Sequence, residues 1–126
     1  MGSFSGLLYA VFIRKYSHCT CSKTTLQQNP NECFILEGYS QGAAATVNAL
    51  VQLTAAENTA VKGVFLIGDP LHKAGLACNV DSNGGITTRN DNGISEYYGA
   101  NSIPSGFVPR SLDVCAPVNF CSVWCW

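Results

Sequence analysis

The fold of this chain is decided by the stretch CFILEGYSQGAAATVNALVQLT, residues 33–54. Its opening run, Cys33 to Glu37, is short and apolar and predicts a buried strand. Its closing run, Ala43 to Thr54, is alanine-rich and predicts a helix. The motif G-x-S-x-G, residues 38–42, lies between the two runs. The stretch therefore predicts a strand, a sharp turn and a helix in direct succession.

Ser40, at the centre of that turn, has two interpretations. Between a strand and a helix, a G-x-S-x-G serine projects above the sheet as a nucleophile, near the positive end of the helix. Gly38 and Gly42 favour this interpretation, because they lack the Cβ atoms that would clash in so tight a turn. The backbone N–H of Gln41 would then be one donor to an oxyanion. The alternative is an ordinary glycine-rich turn in which Ser40 caps the helix.

The rest of the chain extends this unit into an α/β fold. Residues 61–67, VKGVFLI, predict a second strand that is apolar enough to be buried on both faces. Strand, helix and strand in this order form a βαβ unit with parallel strands. The GDP sequence at 68–70 ends the unit at the carboxyl edge of the sheet, where open α/β folds place their sites. Residues 75–106 predict turns, and residues 111–114 predict a third strand. The predicted fold class is α/β, a partial parallel sheet with flanking helices.

The composition limits the classes of protein to which the chain can belong. Its 126 residues fit a single domain. The formal net charge is −1 and charged residues make up 12%, about half the usual share. There is thus no electrostatic case for binding nucleic acid or an anionic membrane. Residues 7–13 are apolar but too short to span a bilayer. They are either the core of a signal peptide or a strand, and basic residues follow them rather than precede them.

Seven cysteines are too many for a cytosolic chain without a use for them. They are Cys19, Cys21, Cys33, Cys78, Cys115, Cys121 and Cys125. None shows the C-x-x-C spacing of zinc knuckles and redox sites. We therefore expect disulfide bonds formed in an oxidising compartment, with at least one thiol free or bonded between chains. No cofactor or metal is expected. A metal cluster around His18 is a less favoured alternative, and residues 81–85 lack the later glutamate of a calcium loop, since Asn92 stands there.

Residues 37–43, EGYSQGA, resemble the nucleophile elbow of the cutinase family, small secreted α/β-hydrolases that include fungal cutinases, cutinase-like esterases and acetylxylan esterases. The resemblance continues, in the same order, through VFLIGDP at 64–70, HK at 72–73, GL at 75–76, CN at 78–79, PSG at 104–106 and LDVC at 112–115. It implies hydrolysis of carboxylic esters through an acyl-enzyme on Ser40, with Gln41 as an oxyanion donor. It also implies secretion and an ester substrate: a cutin-like polyester, a short acyl ester or an acetylated polysaccharide. The oligomeric state stays open.

The two ends of the chain depart from the family, and the departures fall on catalytic parts. The position of the family's triad acid is taken here by Asn119, which has no charge to stabilise an imidazolium. The loop that supplies the family's histidine has no counterpart before Trp126, and the loop that supplies a second oxyanion donor has none in residues 1–29. Because a serine without a base is a poor nucleophile, we expect hydrolysis to be impaired.

His72 and, less favoured, His18 in the unmatched amino-terminal segment are candidates to replace the missing base, and Asp69 and Asp113 are candidates to orient a histidine. His72 is the first substitute for the base, although the resemblance gives it a non-catalytic role in a loop or at the surface. Asp69 and Asp113 follow predicted strands, where a carboxylate can orient a histidine but more often caps a turn.

The expected organisation is an unmatched segment, 1–29, a cutinase-like core, 30–116, and an unmatched tail rich in Cys and Trp, 117–126. Two explanations are open for these unmatched ends. They are a gene-model artefact, namely translated intron or a shifted reading frame, or the chain is a truncated paralogue. With so few elements, the apolar face of the sheet should be incompletely covered and stability marginal. The alternative function is that of a non-catalytic, disulfide-stabilised secreted protein that binds lipid-like or plant-surface ligands.

Overall fold

The computed structural model describes residues 13–14, 26–96 and 101–116 of the chain. The predictions for residues 7–12, for His18 and its neighbouring cysteines, for Asn119 and for the tail lie outside these residues. In chain order the elements are β1 (Ile13–Arg14), β2 (Phe34–Tyr39), α1 (Gln41–Leu50), α2 (Ala55–Ala60), β3 (Val61–Ile67), β4 (Asn79–Asp81), a 3-10 helix (Val108–Arg110) and β5 (Ser111–Cys115).

One sheet organises the fold, with strand order β1-β2-β3-β5-β4. The strands β2, β3, β5 and β4 run parallel, and β1 pairs antiparallel with β2. The carboxyl ends of the parallel strands therefore meet at one edge, where Tyr39 of β2 is paired with Ile67 of β3. Ser40 follows directly at this edge. The predicted α/β fold class, with a parallel sheet and flanking helices, is confirmed.

Several element boundaries differ from those predicted. The predicted strand at 33–37 begins at Phe34 and continues to Tyr39. The predicted helix at 43–54 begins at Gln41 and stops at Leu50. A second helix, α2, follows because Thr54 caps it: its side chain accepts from the Glu57 backbone N–H, and the Glu57 side chain accepts from the Thr54 N–H at 2.8 Å.

The segment 75–106, predicted as turns, contains one strand among its described residues, 75–96 and 101–106. Its three residues, Asn79–Asp81, pair in parallel with β5 at the sheet edge. A strand this short has no periodicity of its own, so its pairing partner decides its conformation. No helix among the described residues is long and apolar enough to cross a membrane.

The core lies on one face of the sheet, under α1. Phe34, Leu36 and Leu66 of the strands pack there with Val47 and Leu50 of the helix. The opposite face is apolar but open. Side chains alternate between the two faces along a strand, and paired residues of neighbouring strands lie on the same face. The exposed apolar residues of this open face, with their exposed fractions, are Ile35 (51%), Tyr39 (55%), Ile67 (38%) and Leu112 (49%). The sheet is therefore incompletely covered by the described elements, as expected.

Candidate active site

The backbone of Ser40 adopts a conformation that serine rarely takes. Its φ is 55° and its ψ is −122°, and it is the one non-glycine residue with positive φ in the described part of the chain. Such a conformation costs on the order of 1–3 kcal/mol and persists only where the surroundings impose it. Here the Ser40 N–H donates to the Ile67 carbonyl at 2.9 Å, and the Ser40 carbonyl accepts from Ala43 N–H at 2.9 Å. The turn is thus fixed at both the end of β3 and the start of α1.

The helix-cap interpretation of Ser40 is wrong. A capping serine accepts a hydrogen bond from an amide of the first helical turn, but the Ser40 side chain makes no such bond. The residue is 3% exposed, and its Oγ has no hydrogen-bond partner among the described residues. The hydroxyl is therefore not used by the fold for helix capping.

Gly38 is required by the closeness of strand and helix across this turn. A Cβ at position 38 would lie 2.7 Å from the Cα of Ala43 and 2.8 Å from the carbonyl oxygen of Gly42. Both obstacles are backbone atoms, which cannot move aside as a flexible side chain can. The sequence prediction that Gly38 permits the tight turn is confirmed.

Gln41 is the first residue of α1 and is exposed. The first amides of an α-helix have no acceptor within the helix. The Gln41 N–H, next to Ser40, is therefore suited by position to donate to a negatively charged oxygen formed near the serine hydroxyl.

His72 lies in a loop, one of the two places expected for it, but it is buried there and not at the surface. Its Nδ1 lies 2.7 Å from Oδ2 of Asp113, and both side chains are almost completely inaccessible. Its Nε2 lies 3.4 Å from the carbonyl oxygen of Thr88. Both ring nitrogens therefore face other protein groups, and the structure does not bring this imidazole to the Ser40 hydroxyl. Of the two aspartates considered as orienting groups, Asp113 does contact the histidine, from within β5 rather than after it.

Asp69 completes a buried group of three titratable side chains with His72 and Asp113. Its Oδ1 accepts from the Leu71 N–H at 2.9 Å, the turn-capping contact expected of it. Burial, and secondarily the nearby Asp113, raise the pKa of Asp69 to about 7. Burial lowers the pKa of His72, but the contact with Asp113 outweighs this and the net shift is upward.

The group could have been suspected from the sequence through one signal. In β5, Ser111, Asp113 and Cys115 alternate with Leu112 and Val114, and the first set is buried. A carboxylate at a buried position of a strand requires a partner. The alternation alone does not tell which residue that partner is.

Asp81, the first residue of the segment weighed as a calcium loop, is used by its own loop. Its carboxylate accepts from the Thr87 hydroxyl at 2.7 Å, the Gly85 N–H at 2.8 Å and the Asn83 N–H at 2.9 Å. These bonds, the one from the Thr87 hydroxyl most of all, lower the pKa of Asp81 to about 2. The carboxylate therefore organises the loop.

Two of the cysteines in the described part of the chain, Cys33 and Cys78, carry free thiols. They are not a disulfide pair. Disulfide bonding among the remaining cysteines stays a prediction.

The chain is similar to known proteins both in sequence and in fold. The sequence model of the family described as Cutinase matches residues 16–118. A cutinase-like protein from Cryptococcus sp. superposes with a TM-score of 0.71 and 64% identity, over 75% of this chain and 46% of that one. The catalytic core domain of acetylxylan esterase from Trichoderma reesei gives a TM-score of 0.54 and 27% identity, over 74% of this chain and 48% of that one. A cutinase of Hypocrea jecorina is 42% identical over 50 residues, 40% of this chain and 20% of that protein.

Because the family model spans most of the chain, the protein belongs to the cutinase family. Its fold is that of the cutinase-like and acetylxylan esterase α/β-hydrolases. The chain covers under half the length of the two solved structures, and about a fifth of that of the Hypocrea cutinase.

Proposed function

We propose that this chain is a serine esterase unit that hydrolyses carboxylic esters through an acyl-enzyme on Ser40. The observation that carries the proposal is the strained backbone of Ser40, held between Ile67 and Ala43. A fold stabilises such a conformation at a cost, and residues held in this way cluster at active sites. The hydroxyl would attack the ester carbonyl carbon and lose its proton to solvent, and the Gln41 N–H would donate to the oxygen that becomes negative. The ester C–O bond would then break, which releases the alcohol and leaves the acyl group on Ser40 Oγ, and water would hydrolyse this acyl-enzyme to the free acid.

The same geometry supports impaired ester hydrolysis by this chain. Attack by a serine hydroxyl requires a base that takes its proton, and loss of one triad member costs several powers of ten in rate. Within the described residues, Ser40 Oγ has no hydrogen-bond partner and His72 is engaged by Asp113 and Thr88. We therefore propose a nucleophile with an oxyanion donor but without a general base in contact with it.

The substrate class follows from the relatives alone. The named relatives are a cutinase, a cutinase-like protein and an acetylxylan esterase. A cutin-like polyester, a short acyl ester or an acetylated polysaccharide is accordingly the proposed substrate, and an extracellular, disulfide-forming environment is the proposed location.

The test separates a reactive serine from complete turnover. The purified chain is treated with a fluorophosphonate, which phosphonylates reactive serines, and separately with p-nitrophenyl butyrate. Slow labelling at Ser40, detected by peptide mass after prolonged incubation, together with slow or absent ester hydrolysis is the expected result, because the serine has no base in contact with it. Ser40→Ala should abolish both signals, whereas Ser105→Ala, at an exposed serine outside the site, should leave them unchanged. Absence of labelling at Ser40 in a folded chain would contradict the proposal.

A second candidate function rests on the open apolar face beside the serine. Tyr39 and Ile67 are adjacent strand-end residues, and both are substantially exposed. They could bind a lipid-like ligand without any reaction. Binding of a fatty acyl ester that is unchanged in Ser40→Ala and weakened in Tyr39→Ser, with no labelling of Ser40, would favour this function over hydrolysis.

A further inference from the structure

Asp69, His72 and Asp113 form a buried cluster that the proposed reaction does not use. Each of the three residues is 0% exposed. Asp69 and His72 lie in the loop that follows β3, and Asp113 lies in β5. The 2.7 Å contact between His72 Nδ1 and Asp113 Oδ2 therefore joins a loop to a strand that is distant in sequence. We refer to these three residues as the buried clamp.

The buried clamp holds its loop through backbone contacts as well. The His72 N–H donates to the Asp69 carbonyl at 3.1 Å, and the His72 carbonyl accepts from the Gly93 N–H at 2.7 Å. Asp69 Oδ1 accepts from Leu71 N–H, while Asp69 Oδ2 has no hydrogen-bond partner among the described residues. The loop geometry thus converges on the three side chains. Two carboxylate oxygens, Asp69 Oδ2 and Asp113 Oδ1, are left without a donor among the described residues.

A short path leads from the buried clamp to the nucleophile. Asp113 immediately precedes Val114, whose carbonyl accepts from the Gly68 N–H at 2.9 Å. Gly68 immediately follows Ile67, whose carbonyl accepts from the Ser40 N–H at 2.9 Å. The strained turn is therefore fixed to the end of β3, and the end of β3 is fixed to β5 beside the clamp.

We propose that Asp69, His72 and Asp113 act as positioning residues, which lock the carboxyl ends of β3 and β5 together and thereby hold Ser40 in its strained conformation. The proposal rests on the proposed function only in treating Ser40 as the nucleophile. The three side chains do not form a metal site, because no group of three His, Cys, Asp or Glu residues in the described ranges is arranged to hold an ion.

The charge of the buried clamp makes its stability depend on pH. With Asp69 protonated, an imidazolium at His72 faces one carboxylate, Asp113; when Asp69 ionises, a second negative charge enters a buried site. Among the described residues, Cys78 is a further titratable group beside Asp113 and Asp69, and burial is the chief reason that its thiol pKa is raised to about 11. The guanidinium of Arg89 is close enough to act on the Cys78 thiol and carries a fixed positive charge.

The direction of the pH effect follows from the upward shifts. The folded chain holds the protons of Asp69 and His72 more tightly than the unfolded chain does. Their stabilising contribution is complete at pH values below about 4 and decreases as pH rises. The stabilisation due to Asp69 is lost by about pH 7. The stabilisation due to His72 is lost at pH values above the ordinary range of the histidine pKa.

The first experiment measures urea unfolding of the chain and of Asp69→Asn between pH 4 and pH 8. Asparagine has the shape of the protonated carboxyl and cannot ionise. Relative to Asp69→Asn, the unfolding equilibrium constant of the unmodified chain should rise by about a hundredfold or more over this range. The same pH dependence in both proteins would overturn the proposal.

The second experiment observes the histidine directly by NMR. The chain has two histidines, His18 and His72, so His18→Gln leaves a single imidazole signal. This signal should titrate above the ordinary histidine range, and below it when Asp113→Asn is added, because burial then acts without the carboxylate. A titration that Asp113→Asn leaves unchanged would also overturn the proposal.

The third experiment tests the connection to Ser40. In Asp113→Asn at pH 6, hydrogen exchange of the Ser40 amide should be at least about tenfold faster than in Glu57→Gln, after correction for global stability. Glu57 caps the helix at the opposite end of β3 and serves as the control.

A second readout applies if Asp113→Asn does not fold. The rate of fluorophosphonate labelling is then measured for Asp69→Asn and for the unmodified chain, and the ratio of the first rate to the second should rise above pH 7. Equal exchange, or a constant ratio, would refute the positioning role. The unfolding and NMR measurements involve no ester, so a failure of hydrolysis is distinguishable from a failure of the buried clamp.

Discussion

The Cα of Gly38 and the Cα of Ala43 approach so closely across the Ser40 turn that a methyl group on Gly38 would lie 2.7 Å from Ala43. This contact joins the end of β2 to the first turn of α1. Because strand and helix lie so close together, the residues between them can connect the two only through a sharp turn, and this turn places Ser40 at a positive φ. The strain at the serine is therefore a consequence of strand–helix packing.

Gly38→Ala should destabilise the protein by about 1–3 kcal/mol, the cost of inserting a methylene into a packed site. It should also slow fluorophosphonate labelling of Ser40, because the turn must open. The measurement is urea unfolding combined with labelling rate. Gly63→Ala is the matched control in the neighbouring strand, since its Cβ would meet ordinary contacts at 3.8 Å. Equal effects of the two variants would contradict the role of the close approach.

Ser40→Gly should increase stability by about 1 kcal/mol while abolishing labelling. Glycine adopts positive φ without steric cost, and Ser40 Oγ makes no hydrogen bond with the described residues that would be lost. Chemical denaturation gives the comparison. Ser105→Gly, at an exposed serine without positive φ, should be neutral or slightly destabilising. A destabilised Ser40→Gly variant would mean that the serine backbone is not strained.

Thr54→Ala should cost about 1 kcal/mol, because it removes the side chain that caps α2. The Thr54 hydroxyl contacts Glu57 Oε2 at 2.7 Å and accepts from the Glu57 N–H. Thr59→Ala lies within the same short helix and removes a bond to the Ala55 carbonyl at 3.0 Å. Since such bonds within a helix add little, thermal unfolding should show a much smaller change for Thr59→Ala, and the reverse order would be inconsistent with the cap.

The stability of the folded chain at acidic pH should depend on Asp81. Because hydrogen bonds from Thr87, Gly85 and Asn83 lower its pKa to about 2, Asp81 stabilises the folded chain above about pH 4. That contribution is lost as pH falls towards 2. The difference in thermal midpoint between the unmodified chain and Asp81→Asn should therefore shrink over this interval, whereas Asp91→Asn, at an exposed residue, should show no such trend. A difference that stays constant with pH would exclude this role for the carboxylate.

Local patterns predicted the centre of the fold for identifiable reasons. The apolar runs leading into Gly38 and through residues 61–67 specify buried strands. The glycine-flanked serine specifies a turn that few sequences can make. The T-x-x-E sequence from Thr54 to Glu57 also contained a capping signal that would have ended the first helix earlier and predicted α2. The helix boundary was therefore predictable, although the prediction missed it.

The strand β4 and the buried clamp were not predictable in this way. Residues 79–81 lie among turn-forming residues, and they become a strand because β5 offers them a parallel partner. His72 lies in a loop sequence that suggests exposure. It is buried because the loop folds back against β5, and only the tertiary arrangement brings it to Asp113.

The sequence by itself determined the α/β class, the glycine-flanked turn at Ser40 and the family, because these depend on residues that are neighbours in the chain. The tertiary structure alone decided that the Ser40 hydroxyl does not cap its helix, that His72 is paired with Asp113 rather than with Ser40, and that one face of the sheet stays open. Each of these depends on which distant segments meet at the carboxyl edge of the sheet. That meeting is governed by the packing of strands and loops against one another, which no local pattern of residues records.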